Sequence, residues 1–143
     1  MAQETASLKQ RKPLQRPEFI LTRTRLTARR TLIAEIDALA RRATFERAKR
    51  GCERCGTRDR LQWHHVFSRA IVSLRWDLDN LLCLCSGCHL WWHHNPLEAA
   101  AWFTKYAGAD RCKRLHLARH TIRKTDLLAL RLMLERQVEA GLG

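Results

Sequence analysis

The sequence predicts a small α+β domain, and three observations support this prediction. The chain has 143 residues, which is enough for one compact domain with extensions but hardly for two independent cores. Apolar residues recur at helical intervals in several segments, whereas two shorter stretches have the aromatic and β-branched residues typical of strands. Four cysteines frame these shorter stretches as two close pairs, Cys52/Cys55 and Cys85/Cys88.

The elements are predicted from periodicity and from residues that favour helix ends. Gly51 is suited to end the first helix, and Gly108 is suited to end the helix that Pro96 begins. Asn95 and Glu98 are typical of the N-cap and the capping-box acid of that helix. The predicted elements are a helix at 27–50, strands at 61–67 and 80–85, a two-turn helix after Cys88, and helices at 96–107 and 125–140.

The charge of the chain favours a polyanionic partner. Lys and Arg number 27 against 14 acidic residues, which gives a formal net charge of +13. Neutralising phosphates releases condensed counterions, so nucleic acid is the first expected partner and an anionic membrane surface is the second. We expect a basic, flexible arm at 1–26, a folded domain with its leading helix at 27–108, and a basic segment with a C-terminal helix packing on the core at 109–143.

No membrane span is expected. No stretch approaches the roughly 20 apolar residues that cross a bilayer, and the N-terminus lacks the apolar core of a signal peptide. We therefore expect the protein in the cytoplasm.

The paired cysteines predict a structural zinc site. Two residues separate the members of each pair, and a tight turn then brings both sulfurs to one side, where four thiolates can surround one tetrahedral ion. In a reducing compartment, cysteines in this pattern are more naturally metal ligands than disulfides. The alternative is a set of buried thiols without metal. The predicted ligands are Cys52, Cys55, Cys85 and Cys88.

Three histidines predict a second metal site. His89 and His93 are four residues apart and so share one helix face, while His64 comes from the end of a predicted strand. Three protein ligands with open positions are typical of a catalytic metal rather than a structural one. Imidazole suits zinc, nickel or manganese, and phosphate and water in the open positions make magnesium workable, so the metal stays open.

His65 is the candidate general base, since on an extended segment it points away from His64. A neutral imidazole accepts a proton from water near neutral pH, and the hydroxide can then attack a phosphorus atom. Asn80 is either a brace for the loop that holds His65 or a plain turn residue. Arg69 and Arg75 lie between them and are either clamps on the DNA phosphate or solvated loop charges.

Residues 52–93 resemble the HNH endonuclease motif, the ββα-metal finger. His65, Asn80, His89 and His93 follow one another at offsets of fifteen, nine and four residues, which is similar to nuclease-domain colicins. The four cysteines resemble the zinc-bearing branch of the same family. The resemblance implies a ββα-metal core with a zinc knuckle and flanking helices, in which His65 is the base, Asn80 orients its loop, and His64, His89 and His93 bind the catalytic ion.

A looser resemblance covers residues 63–80, which look like phage recombination nucleases of the NinG type. It implies a bacteriophage setting, a role in recombination, and action in the cytoplasm of a bacterial host.

We therefore expect a metal-dependent HNH endonuclease that hydrolyses phosphodiester bonds in duplex or branched DNA. Its cofactors would be a structural Zn²⁺ and a catalytic Mg²⁺, Mn²⁺, Ni²⁺ or Zn²⁺. The alternative is a noncatalytic, zinc-stabilised module that binds nucleic acid. A zinc nucleobase deaminase is excluded because the His-x-Glu and Pro-Cys-x-x-Cys ligand patterns are missing from the sequence. The sequence does not predict an oligomeric state.

Overall fold

The computed structural model describes residues 16–122 and 124–141, with side chains from residue 22 onward. The described residues fall into two units, one ending at Thr31 and one beginning at Leu32. The described residues form five α-helices and one two-stranded antiparallel sheet, which confirms the predicted α+β class. The elements are α1 (Arg16–Arg47), β1 (Leu61–His65), a 3-10 turn (Leu78–Asn80), β2 (Leu81–Cys85), α2 (Ser86–His94), α3 (Pro96–Ala107), α4 (Ala109–Ala118) and α5 (Leu127–Ala140).

Helix α1 begins at Arg16, earlier than the predicted start at Thr27. The predicted arm at 1–26 is therefore helical from Arg16 on, and its residues 1–15 lie outside the described part of the chain. The helix ends at Arg47 rather than at Arg50, because Lys49 and Arg50 adopt positive φ angles of 50° and 52°, which an α-helix does not accommodate.

The two strands pair directly, and their register decides which side chains share a face. His64 lies opposite Leu82, and His65 lies opposite Leu81. Successive residues of a strand point to opposite faces, so His64 and His65 lie on different faces of the sheet. Strand β1 ends at His65, two residues before the predicted end, while β2 begins one residue after Asn80 and ends at Cys85 as predicted.

One face of the sheet packs on the helices that follow it. Leu82 and Leu84 of β2 are fully buried there, together with Phe103 of α3 and Leu115 of α4. Helix α4 has no counterpart among the predicted elements, because residues 109–124 are rich in basic side chains and only Leu115 of this helix is buried. Asn95 precedes α3, but its side chain donates to the Trp91 carbonyl and does not cap the helix.

The other face packs on the second half of α1 and on α5. Ile36 and Ala40 of α1 lie one turn apart and are fully buried against Leu81 and Leu134. Leu134 of α5 therefore packs in the same cluster as Ile36 of α1. Helix α5 begins at Leu127, two residues after the predicted start, and its N-cap is Asp126, whose carboxylate accepts from two backbone N–H groups of the first turn.

No helix in the described part of the chain is both long and apolar enough to cross a membrane.

Candidate functional site

The four paired cysteines come together as the sequence predicted. Their Sγ atoms all lie within 4.8 Å of one another, and those of Cys55 and Cys85 are 3.7 Å apart. A tetrahedron with metal–sulfur bonds of about 2.3 Å has edges of about 3.8 Å, so this separation fits one ion. The cluster can therefore hold a structural metal.

The first cysteine pair lies on a tight turn that depends on a glycine. Gly56 has a φ of +79° and donates its backbone N–H to the Cys52 carbonyl at 2.8 Å. This left-handed conformation is unstrained only for glycine. Glu53 joins the turn to the sheet, since its N–H donates to the Cys83 carbonyl and its carboxylate accepts from the Cys83 N–H at 2.6 Å.

The second cysteine pair lies at the N-terminus of α2. Cys85 is the N-cap, and its Sγ accepts from the backbone N–H of Cys88 at 3.4 Å. The backbone N–H groups at a helix N-terminus have no partner within the helix, so they are free to donate to a sulfur at this position. Arg54 adds a cation, because its guanidinium lies 3.5 Å from Cys88 Sγ and stacks over the Trp91 ring.

The three predicted histidine ligands also converge. One ring nitrogen from each of His64, His89 and His93 lies within 4.8 Å of the other two. His64 comes from β1, and the other two are one turn apart on α2. Nε2 of His64 is buried and has no hydrogen-bond partner, which is costly for a polar atom unless it binds something else. These residues fit a divalent cation.

Two of these histidines, His64 and His89, are held in the form that binds metals. Burial, followed by the positive charge that His89 and His93 can carry, lowers the pKa of His64 to about 3. Burial also lowers the pKa of His89. Both imidazoles are therefore neutral near pH 7, and a neutral ring offers a lone pair to a metal.

Gln62 is a site residue that the sequence analysis missed. It lies two residues before His64 on β1 and so on the same face of the sheet. Its side-chain oxygen forms a hydrogen bond with Nδ1 of His89. An amide oxygen only accepts, so Nδ1 carries the proton and Nε2 of His89 is left for a metal. Gln62 reaches His89 because of how the sheet packs on α2. No motif near Gln62 in the sequence indicates this contact.

His65 has a defined tautomer. Its Nε2 donates to the backbone carbonyl of Arg75 at 2.9 Å, because a carbonyl oxygen can only accept. Nδ1 is therefore the basic nitrogen. Burial lowers the pKa of His65, so the ring is neutral near pH 7 and able to take up a proton.

Asn80 ties together the loop between the two strands. Its side chain is fully buried, accepts from the Phe67 N–H at 2.7 Å, and donates to the carbonyls of Phe67 and Leu74 at 3.0 Å each. Arg75, whose carbonyl holds His65, directly follows Leu74. Asn80 thus fixes both ends of the segment that orients His65.

The two arginines of this loop differ from each other. The guanidinium of Arg75 forms two hydrogen bonds with Asp37 of α1, at 3.2 and 2.7 Å, and lies beside the Trp76 ring. Its fork pairs with this carboxylate in the structure, and a contact of Arg75 with a DNA phosphate stays a prediction. Arg69 is exposed and lines the same cleft as the histidines.

An open cleft of about 500 Å³ lies over the histidines. His65 and the three converging histidines all line this cleft, although the side chains of His64 and His65 lie on opposite faces of the sheet. His65 is the last residue of β1 and so lies at the end of the strand. The lining residues are Trp63, His64, His65, Val66, Ser68, Arg69, His89, Trp92 and His93.

No model of a protein family, no curated protein and no solved structure matches this chain.

Proposed function

We propose that this protein is a metal-dependent endonuclease of the HNH type that hydrolyses phosphodiester bonds in DNA. The observation that carries the proposal is the convergence of His64, His89 and His93 on one point beside a fourth histidine with a fixed tautomer. The formal charge of +13 supports a nucleic acid as the substrate.

In this proposal, His65 is the general base. Its Nδ1 takes a proton from a water molecule in the cleft, and the resulting hydroxide attacks the phosphorus atom. The hydrogen bond from Nε2 to the Arg75 carbonyl keeps the ring oriented and stabilises the positive charge that the ring gains. Arg69 offers a guanidinium fork to a non-bridging phosphate oxygen at the rim of the cleft.

Three further histidines would hold the catalytic cofactor. His64, His89 and His93 would bind a divalent ion, with Gln62 fixing the orientation of the His89 ring. Such an ion, when bound, neutralises charge on the phosphate and stabilises the departing oxygen. The four-cysteine cluster would hold a structural zinc, which closes the turn at Cys52 onto the start of α2.

The proposal is tested by nicking of supercoiled plasmid with magnesium, manganese, nickel or zinc added in turn. We expect the wild-type protein to nick with at least one of these ions and His65→Ala to lose at least a hundredfold in rate, within the range of a lost general base. His120→Ala is the control, because His120 is exposed and lies outside the cleft. Unchanged nicking by His65→Ala would reject the assigned base.

The second candidate is a zinc module that binds nucleic acid without cleaving it. The cysteine cluster and the charge support this module as well as they support the nuclease. The histidine cluster supports only the nuclease. Metal analysis separates the two, because one tightly bound ion for each chain supports the module, whereas a second, exchangeable ion supports the nuclease.

A further inference from the structure

A second cavity adjoins the cleft. It has a volume of about 370 Å³ and lies between the loop after β1, α3 and α4. Val66 and Trp92 line both the cavity and the histidine cleft. The Trp92 ring is 4.6 Å from the His64 ring and 6.2 Å from the Phe103 ring, centre to centre, so it separates the proposed metal position from the cavity.

The walls of the cavity are mainly apolar and aromatic. Phe67 and His116 form an edge-to-face pair with ring centres 5.3 Å apart on one side, and Trp92 and Phe103 form a second pair. The cavity volume falls within the range of about 300–1,000 Å³ that is usual for small-molecule sites. Aromatic walls of this kind favour a flat, conjugated ring system.

A cation and a few polar groups accompany these walls. The exposed guanidinium of Arg119 lies 5.6 Å from the centre of the Phe67 ring, where it can meet a backbone phosphate. Thr104 and His116 bring hydrogen-bonding groups to the cavity lining. An apolar slot with few polar groups and a cation nearby matches a nucleotide better than a purely apolar ligand.

We propose that this cavity binds an unpaired nucleobase of the strand whose phosphate occupies the adjoining cleft. The inference rests on the proposed function. A base that is paired and stacked in a duplex cannot enter an apolar slot without first leaving its partner, and that costs least at a bulge or a mismatch. The cavity therefore makes DNA with an unpaired base the preferred substrate class, cleaved beside that base.

Ala100 offers a way to fill the cavity without disturbing the cleft. It is an exposed residue of α3 that lines the cavity, and Ala101 is also exposed but lies outside the lining. We expect Ala100→Trp to occupy the space of the base and Ala101→Trp to leave it open. Thr104→Phe narrows the same cavity from the next turn, so the test does not depend on one variant.

The test compares the affinity for a duplex with a single-nucleotide bulge and for the fully paired duplex, by fluorescence anisotropy without added divalent ions. The wild type and Ala101→Trp should bind the bulged duplex about tenfold more tightly, as expected for one stacked base. Ala100→Trp and Thr104→Phe, with zinc contents equal to that of the wild type, should lose this preference. A wild type without preference, or a preference kept in both filled variants, would overturn the inference.

Failure of the proposed function gives a different result. If no DNA is nicked with any ion while the bulge preference is present and lost on filling, the cavity binds a base in a protein that is not a nuclease. If both duplexes are nicked at equal rates and bound equally, the nuclease stands and the cavity has no such role.

Discussion

Gln62 and His89 are joined by a hydrogen bond between the side-chain amide oxygen and Nδ1 of the ring. The contact crosses from β1 to α2 and sets the orientation of one of the converging histidines. Since it fixes which nitrogen of His89 carries the proton, it links the register of the sheet to the binding of a metal.

Replacing Gln62 should weaken the second metal site. Without the acceptor, the His89 ring is free to rotate and to exchange tautomers, so we expect Gln62→Leu to lower the affinity for an exchangeable divalent ion about 10- to 100-fold. Gln62→Glu keeps an acceptor and should retain the affinity. Calorimetric titration with nickel or manganese measures both, and equal affinity in Gln62→Leu and the wild type would contradict the role of Gln62.

Loss of one cysteine ligand should remove the structural metal. Cys88→Ser leaves an incomplete site next to a helix N-terminus, so we expect loss of zinc and loss of cooperative thermal unfolding. Cys112→Ser is the control, because Cys112 is a half-buried thiol outside the four-cysteine cluster. Zinc content by mass spectrometry and unfolding by circular dichroism give the answer, and full zinc occupancy in Cys88→Ser would show that the cluster is not a zinc site.

Asn80→Ala should destabilise the fold strongly. The change removes three side-chain hydrogen bonds and leaves the Phe67 N–H and the Leu74 carbonyl without these partners. We expect the free energy of unfolding to fall by about 2–4 kcal/mol, measured by urea denaturation of the zinc-loaded protein. Asn95→Ala removes a single hydrogen bond to Trp91 and should cost less than about 1 kcal/mol. A similar loss of unfolding free energy in the two variants would contradict the role of Asn80 in holding the loop.

Substitutions of the two loop arginines should have different effects, one on stability and the other on DNA binding. Arg75→Ala breaks the half-buried pair with Asp37, so we expect lower stability and, in a double-mutant cycle with Asp37→Ala, a coupling of about 1–2 kcal/mol. Arg69→Ala should leave the free energy of unfolding unchanged and weaken DNA binding. The affinity of this variant should also depend less on salt concentration than that of the wild type. The opposite pattern, with Arg75 controlling the salt slope, would restore Arg75 as a phosphate clamp.

Residue identity and spacing predicted the parts of the site that are local in sequence. The Cys-x-x-Cys pairs and the four-residue step from His89 to His93 specify geometry through a turn or a helix, and the structure brings these side chains together. Contacts between distant elements were not predictable in this way. Asp37 and Arg75 are 38 residues apart, and nothing near either residue identifies the other as its partner.

The same distinction applies to the fold. The amphipathic second half of α1 was predicted because Ile36 and Ala40 repeat at a helical interval, and both are fully buried. The start of α1 at Arg16 and the whole of α4 were missed, since basic residues dominate these segments and a helix without a wide apolar stripe gives little periodic signal.

Cys85 is the N-cap of helix α2, and the helix itself contains Cys88 of one cluster and His89 and His93 of the other, so that Cys88 and His89 are consecutive residues. Neither centre can be assembled independently of this helix. A substitution that unwinds or displaces α2 would therefore disturb the cysteine cluster and the histidine cluster together.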